Sequence, residues 1–227
     1  MDTDWNAEGN TITLTVPSEH GPLYGQLELL PKSHGLVVLA HAATTLDERE
    51  EIVAAVFREA GLSTLNVDLL SRQEAHFVDA SHNVPLLAKR LLDFLALLKT
   101  RMWLGEIATQ PLGLHAANAT SPVVVRVAAL RDHDIAAVAC RDGLIDLAGM
   151  LYLRSLESPL LLLVEDSDEQ HLASSRRALQ EVHCPHELAL IPEIEIDFAT
   201  STGLQLAAAE AAQWFVKHFK AGSPTSH

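Results

Sequence analysis

The spacing of apolar residues along the chain changes near residue 35. Residues 11–16 and 23–30 alternate polar and apolar positions, which is the pattern of strands with one buried face. Turn-forming residues lie between them at 19–22, so the pattern predicts an antiparallel hairpin at one end of a sheet. Residues 36–40 instead form a continuous apolar run, which is typical of a strand covered on both faces.

After this run, strand-like and helix-like patterns alternate along the chain. The predicted strands are 62–67, 111–115, 135–140, 159–164 and 186–191, and the predicted helices are 46–59, 85–102, 122–130, 169–182 and 203–219. The order predicts an α/β protein with a mostly parallel sheet of about eight strands, helices on both faces and no lid domain. Ligands of such sheets bind at the carboxyl ends of the strands, so the loops that follow the strands are the candidate site.

Composition narrows the class of protein. The chain is 48% apolar and 20% charged, as in globular proteins, and we expect one domain over 1–227 with an ordered core at about 11–219. A formal net charge of −14 without a basic stripe argues against nucleic acid as a partner. The sequence has neither a membrane-length apolar run nor a basic-then-apolar leader, so we expect a cytoplasmic protein that does not bind membranes.

No pattern in the sequence indicates a metal or a cofactor, and we expect neither. Two cysteines, Cys140 and Cys184, are too few for a disulfide framework. The segment 183–186 reads HCPH, but one cysteine and two histidines on a turn do not complete a zinc site.

Four segments resemble sequences of one enzyme group. They match a strand that ends at an oxyanion loop, the next strand with its acidic end, a loop typical of one subgroup, and the turn that supplies a catalytic acid. These segments are 36–41, 60–70, 140–149 and 161–169. The chain is similar to the dienelactone-hydrolase-like group of the α/β-hydrolase superfamily over about 11–219. The resemblance implies an α/β-hydrolase fold and a site with a serine or cysteine nucleophile, a histidine and an acid.

The family's nucleophile lies in a tight turn between strand and helix, with the pattern G-x-S-x-G or G-x-C-x-G. The resemblance places this turn at 116–120, which reads AANAT, and puts Asn118 at the nucleophile position. An amide cannot act as a serine-type nucleophile. Asparagine does tolerate positive φ comparatively well, so we expect the shape of the turn to persist without its chemistry.

The other two catalytic positions also depart from the family. The loop after the last strand, 192–198, reads PEIEIDF, and its histidine position falls on Ile196, which cannot hold a proton. The acid position matches Asp168, which then has no imidazole to orient and suits the N-cap of the helix from Glu169. Loss of nucleophile and histidine together predicts a degenerate member of the group.

Backbone donors of an oxyanion hole do not depend on side chains, so they survive these replacements. We expect Ala119 and the loop from His41 and Ala42 to supply them, with Arg141 nearby. These four residues are the predicted ligand-binding set, for a small anionic or carbonyl ligand. Residue Arg141 has an alternative role as the ion-pair partner of Asp142, which would fix the loop.

Two hypotheses of function follow. The first is a pseudo-hydrolase that uses its cleft or surface for small-molecule binding or protein association. The second is a hydrolase of the dienelactone-hydrolase or esterase type that acts through a relocated base, from His76 or His82, or through an activated water. For His171, one turn from Asp168, a surface pair is the simplest interpretation. A homodimer is the default for a soluble oligomer.

Overall fold

The computed structural model describes residues 11–42, 48–131, 133–192 and 202–221. Within them, eight strands form one sheet. They are β1 (Thr11–Val16), β2 (Leu23–Glu28), β3 (Leu36–His41), β4 (Ser63–Asp68), β5 (Leu112–Ala117), β6 (Ile135–Arg141), β7 (Leu160–Glu165) and β8 (His186–Ile191). Their order in the sheet is β1-β2-β4-β3-β5-β6-β7-β8.

The strand directions confirm the predicted hairpin and the predicted parallel sheet. Strand β2 pairs antiparallel with both β1 and β4, whereas every pair from β4 through β3 to β8 is parallel. Strand β5 lies at the centre, between β3 and β6. The carboxyl ends of these parallel strands therefore meet at one edge of the sheet, where the candidate loops begin.

Six α-helices surround the sheet within the described residues. They are α1 (Glu48–Glu59), α2 (Val84–Trp103), α3 (Ser121–Leu130), α4 (Met150–Ser155), α5 (Glu169–Leu179) and α6 (Thr202–Ala221). The sequence predicted five of them and missed α4, because six residues are too few to establish a helical period. None of the helices in the described part is long and apolar enough to cross a membrane.

The continuous apolar run of β3 is explained by its two neighbours. Val37 and Leu39 belong to a core between the sheet and the helices α1 and α6. Val38 and Ala40 point the other way, into the larger core that contains α2 and α3. Both faces of the strand are covered, so the residues that point to either face are apolar.

A buried ion pair fixes the connection between β4 and α2. Arg90 of α2 donates to the carbonyl of Leu69 at 2.7 Å and to Oε1 of Glu74 at 2.5 Å. The backbone N–H and the hydroxyl of Ser71 both donate to Oε2 of Glu74, at 3.0 and 2.8 Å. Burial opposes ionisation of Glu74, but these hydrogen bonds and the Arg90 charge outweigh it and lower its pKa to about 2.

This pair makes stability depend on pH in a defined window. Because the folded-state pKa of Glu74 lies below the ordinary 4.5, its contribution is complete above pH 4.5 and is lost as the pH falls towards 2. We expect Glu74→Gln to lower the free energy of unfolding by about 3 kcal/mol at pH 7 and by progressively less between pH 4.5 and 2. Urea unfolding at a series of pH values measures the difference.

The matched control is Glu51→Gln, which removes a carboxylate from an exposed ion pair with Arg58. This change should cost less than about 1 kcal/mol at any pH. Equal effects of the two substitutions at pH 7 would contradict the role given to Glu74.

Candidate functional site

Strand β5 turns sharply into α3 at Asn118. Ala117 ends the strand in an extended conformation, with φ −129° and ψ 152°, and Asn118 then has φ +53°. A single 3₁₀ turn, Asn118–Thr120, joins the strand to the helix. Few residues other than glycine adopt positive φ, and asparagine is among those that do so at least cost. The residue at the nucleophile position thus lies at the apex of a tight strand–helix turn.

The loop after β6 packs directly against this turn. A Cβ atom at Gly143 would lie 2.2 Å from the carbonyl oxygen of Asn118, so only glycine fits there. Gly143 also has φ +99°, a conformation that L side chains rarely adopt. On the turn itself, the hydroxyl of Thr120 donates to the carbonyl of Ala117 at 2.9 Å. Both contacts hold the apex of the turn in place.

A cavity of about 240 Å³ opens beside Asn118 at the carboxyl edge of the sheet. Its wall combines an amide, two imidazoles, one glycine and five residues with apolar side chains. The lining residues are His82, Val84, Asn118, Ala119, Pro122, Gly143, Leu144, Leu147 and His171. A larger cavity of about 470 Å³, near Leu29 and Gln110, lies at the amino ends of the strands, where this architecture does not bind ligands.

His171 joins the cavity to the predicted acid position. Asp168 caps α5, because its Oδ1 accepts the backbone N–H of His171 at 2.9 Å. The other carboxylate oxygen, Oδ2, lies 2.7 Å from Nδ1 of the His171 ring. The ring is not in line for a straight hydrogen bond, so this is a close contact only. The structure thus contains the predicted helix cap and the predicted pair of Asp168 with His171.

Comparison with known proteins gives two kinds of relative, although no family model matches the chain. Two Mycobacterium tuberculosis proteins, provisionally named phosphoribosyl transferases, are each 31% identical over 206 residues, which is 90% of this chain. Those residues are 46% of each relative, so the chain spans about half the length of the curated relatives it matches.

Solved structures identify the fold. A dienelactone hydrolase from Anabaena variabilis superposes with a TM-score of 0.79 and 26% identity, over 93% of this chain and 99% of that one. The chain has the α/β-hydrolase fold of the dienelactone-hydrolase type. Est1E of Butyrivibrio proteoclasticus shares the fold, with a TM-score of 0.72 and 14% identity over 92% of this chain and 99% of that one. A serine hydrolase homologue from Coxiella burnetii does so as well, with a TM-score of 0.65 and 15% identity over 90% of this chain and 95% of that one.

Four side chains of this α/β-hydrolase fold form a polar cluster that is not part of the cavity wall, and three of them, those of His41, Arg141 and Asp142, are buried. A guanidinium nitrogen of Arg141 lies 3.5 Å from Oε1 of Glu50, and Nδ1 of His41 lies 3.6 Å from Oε2 of the same carboxylate. Another guanidinium nitrogen of Arg141 lies 3.5 Å from Asp142. The ion pair with Asp142 is thus present, and the predicted roles of His41 and Arg141 in ligand binding stay predictions.

Two further side chains, in the central strands β5 and β6, are chemically unreactive. His115 is buried, and burial together with the nearby charges of Arg141 and His41 lowers its pKa to about 3, so the ring stays neutral. Burial raises the pKa of the Cys140 thiol far above its ordinary value. A thiol without appreciable thiolate is not a nucleophile, so Cys140 acts as a packed core residue.

The remaining predicted positions divide into three groups. Ala119 lines the cavity beside Asn118, and Ala42 is partly buried at the end of the described segment after β3. Of the two proposed replacement bases, His82 lines the cavity and His76 is exposed outside its described wall. Ile196 lies outside the described residues.

The sequence placed the loop after β6 at the candidate site, but it did not single out Leu144 and Leu147 as parts of a cavity wall. Both line the cavity, and they lie at the start of and within a 3₁₀ segment, Ile145–Ala148, that is too short to show a period. The His171 contact had a visible signal, since residues 168–171 place an acid and a histidine three positions apart at a helix start. That spacing was interpreted as a surface pair.

The contact between Gly143 and the turn predicts a selective loss of stability. We expect Gly143→Ala to lower the free energy of unfolding by about 2–4 kcal/mol, because its methyl group would overlap the Asn118 carbonyl and strain the backbone. Urea unfolding followed by tryptophan fluorescence provides the measurement.

Gly105→Ala is the matched control, since Gly105 has φ +74° and no atom lies within 4 Å of the position that an added methyl group would take. Its cost should be the conformational strain alone, about 1–2 kcal/mol. If both substitutions cost the same, Gly143 does not support the turn.

Proposed function

We propose that this chain is a catalytically impaired α/β-hydrolase, a pseudoenzyme whose cavity binds a small ligand bearing a carbonyl or carboxylate group. The observation that supports it is the position of Asn118. This residue has the positive φ of a strand–helix apex and lines the cavity. The shape of a nucleophile turn is present and the nucleophile is not.

An amide at this position can bind a ligand but cannot attack it as a serine or cysteine would. Serine-type hydrolysis requires an oxygen or sulfur that attacks the substrate and later leaves, and a carboxamide supplies neither. The amide can instead donate through Nδ2 and accept through Oδ1. At Asn118 the amide can therefore bind the carbonyl group that a nucleophile would attack, or a carboxylate in the same place.

The cavity wall indicates the size and type of ligand. Its volume of about 240 Å³ suits a molecule smaller than a typical drug. The polar side chains are those of His82, Asn118 and His171, and Ala119 lies beside them in the 3₁₀ turn that precedes α3. Leu144 and Leu147 supply apolar contact. A short organic acid, or its ester or amide, matches this combination.

Phosphoribosyl transfer is not the function that this site favours. The name belongs to relatives more than twice as long as the matched segment. A phosphoribosyl donor has several negative charges, which proteins neutralise with Arg, Lys or metal ions. The described residues of the cavity wall include no Arg or Lys, and the chain has a formal net charge of −14.

A paired assay tests the proposal. We expect the wild-type chain to leave p-nitrophenyl acetate and a fluorophosphonate probe unreacted above buffer background. Short aliphatic and aryl carboxylates should shift NMR resonances of cavity residues, and Asn118→Ala should weaken their binding about five- to tenfold by removing a hydrogen bond of about 1 kcal/mol.

Leu151→Ala is the control, since Leu151 is exposed on α4 and does not line the cavity. It should leave binding unchanged. Ester turnover by the wild type that Asn118→Ala abolishes would overturn the proposal, as would binding that responds equally to both substitutions.

A further inference from the structure

The structure offers a candidate for a catalytic base in a different part of the fold from the histidine of the family. The family takes its histidine from the loop after the last strand, whereas His171 lies in the first turn of α5, after β7. It lines the same cavity as Asn118 and contacts the carboxylate at the acid position.

We propose that Asp168 and His171 form a working carboxylate–imidazole pair, so that this site lacks only a nucleophile at position 118. The inference rests on the proposed function in one respect: the wild-type chain is inert because Asn118 is an amide. It adds that the other two parts of a triad are in place, with the imidazole supplied from α5.

The helix start fixes the geometry of the pair. One oxygen of Asp168 accepts the backbone N–H of His171 at 2.9 Å, which prevents the carboxylate from turning away. The second oxygen lies 2.7 Å from Nδ1 of the ring. With Nδ1 next to the carboxylate, Nε2 is the ring nitrogen left for a group in the cavity. An acid in this place selects the tautomer and stabilises the imidazolium.

The contact with the acid position supports a role as base. A base becomes an imidazolium during catalysis, and a carboxylate beside the ring, here that of Asp168, stabilises this form. The Asp168–His171 contact is not in line for a straight hydrogen bond, and such contacts often tighten only when a ligand is bound.

His82 is the competing imidazole, because it lines the same cavity. Its Nδ1 lies 3.1 Å from the hydroxyl of Ser81. We favour His171 as the base because its Nδ1 lies against the carboxylate at the predicted acid position.

Restoring a nucleophile tests the pair. In Asn118→Cys, Nε2 of His171 would take the thiol proton while the sulfur attacks the carbonyl carbon of p-nitrophenyl acetate. The ester C–O bond then breaks, p-nitrophenolate leaves, and an acetyl thioester remains on the protein. Acetylation is seen as a burst of p-nitrophenolate and as a mass increase that matches it.

We expect Asn118→Cys to show this burst and the wild type to show none. Adding His171→Ala should slow acetylation about a hundredfold or more, the usual contribution of a positioned base, and Asp168→Asn should also slow it. Adding His183→Ala, at an exposed histidine that does not line the cavity, should leave the rate unchanged. The pH at which acetylation reaches half its maximum should rise when His171 is removed.

The results separate the inference from the proposed function. If the burst rate is the same with and without His171, or depends on His82→Ala instead, the pair is not a working base and the inference fails while the proposed function stands. If the wild type itself turns over the ester, the proposed function fails.

A measurement on the wild type covers the case in which the variants do not fold. Long-range proton–nitrogen NMR spectra of imidazole rings report which ring nitrogen is protonated. His171 should hold its proton on Nδ1, facing Asp168, and Asp168→Asn should change this tautomer balance. A wild-type ring protonated mainly on Nε2 would overturn the inference.

Discussion

The candidate site depends on one backbone constraint, the reversal of direction between β5 and α3. The turn places Asn118 at φ +53° and brings its carbonyl into the space that any side chain at position 143 would occupy. Two loops are thereby held together at the carboxyl edge of the central strands. The cavity exists because the turn projects Asn118 into it and Gly143 lets the loop after β6 form the adjacent wall.

A second constraint comes from the start of α5. Asp168 satisfies a backbone N–H that the helix leaves without a partner, and the same carboxylate lies against the His171 ring. Capping alone would explain why an acid stands at this position. The contact with His171 means that a carboxylate with a structural role also lies beside a cavity imidazole, so one side chain serves both the helix and the cavity.

The fold could be predicted from the sequence because its strands have distinctive patterns of apolar residues. The run at 36–40 is apolar at every position because successive side chains, such as those of Val37 and Val38, enter different cores. Neither an amphipathic helix nor a strand with one exposed face requires such a run. The position of Asn118 could also be predicted, because it follows from the strand that precedes it. The cavity wall could not, since Leu144 and Leu147 lie in a segment too short for periodicity, and a contact such as Asp168–His171 depends on side-chain directions that spacing only permits.

Backbone strain is concentrated at the edge of the cavity. Asn118, which lines the cavity, and Asp142, which precedes the lining residue Gly143, are two of the three non-glycine residues with positive φ among those described. Such conformations cost of order 1–3 kcal/mol each and persist only where the surroundings enforce them. Asp142 is held by a hydrogen bond, since its Oδ1 accepts the backbone N–H of Glu165 at 3.1 Å. Burial raises the pKa of this carboxyl group, and the nearby charge of Arg141 opposes that increase. The contact of Gly143 with Asn118 and the hydrogen bond of Asp142 therefore hold both conformations, and with them this side of the cavity wall.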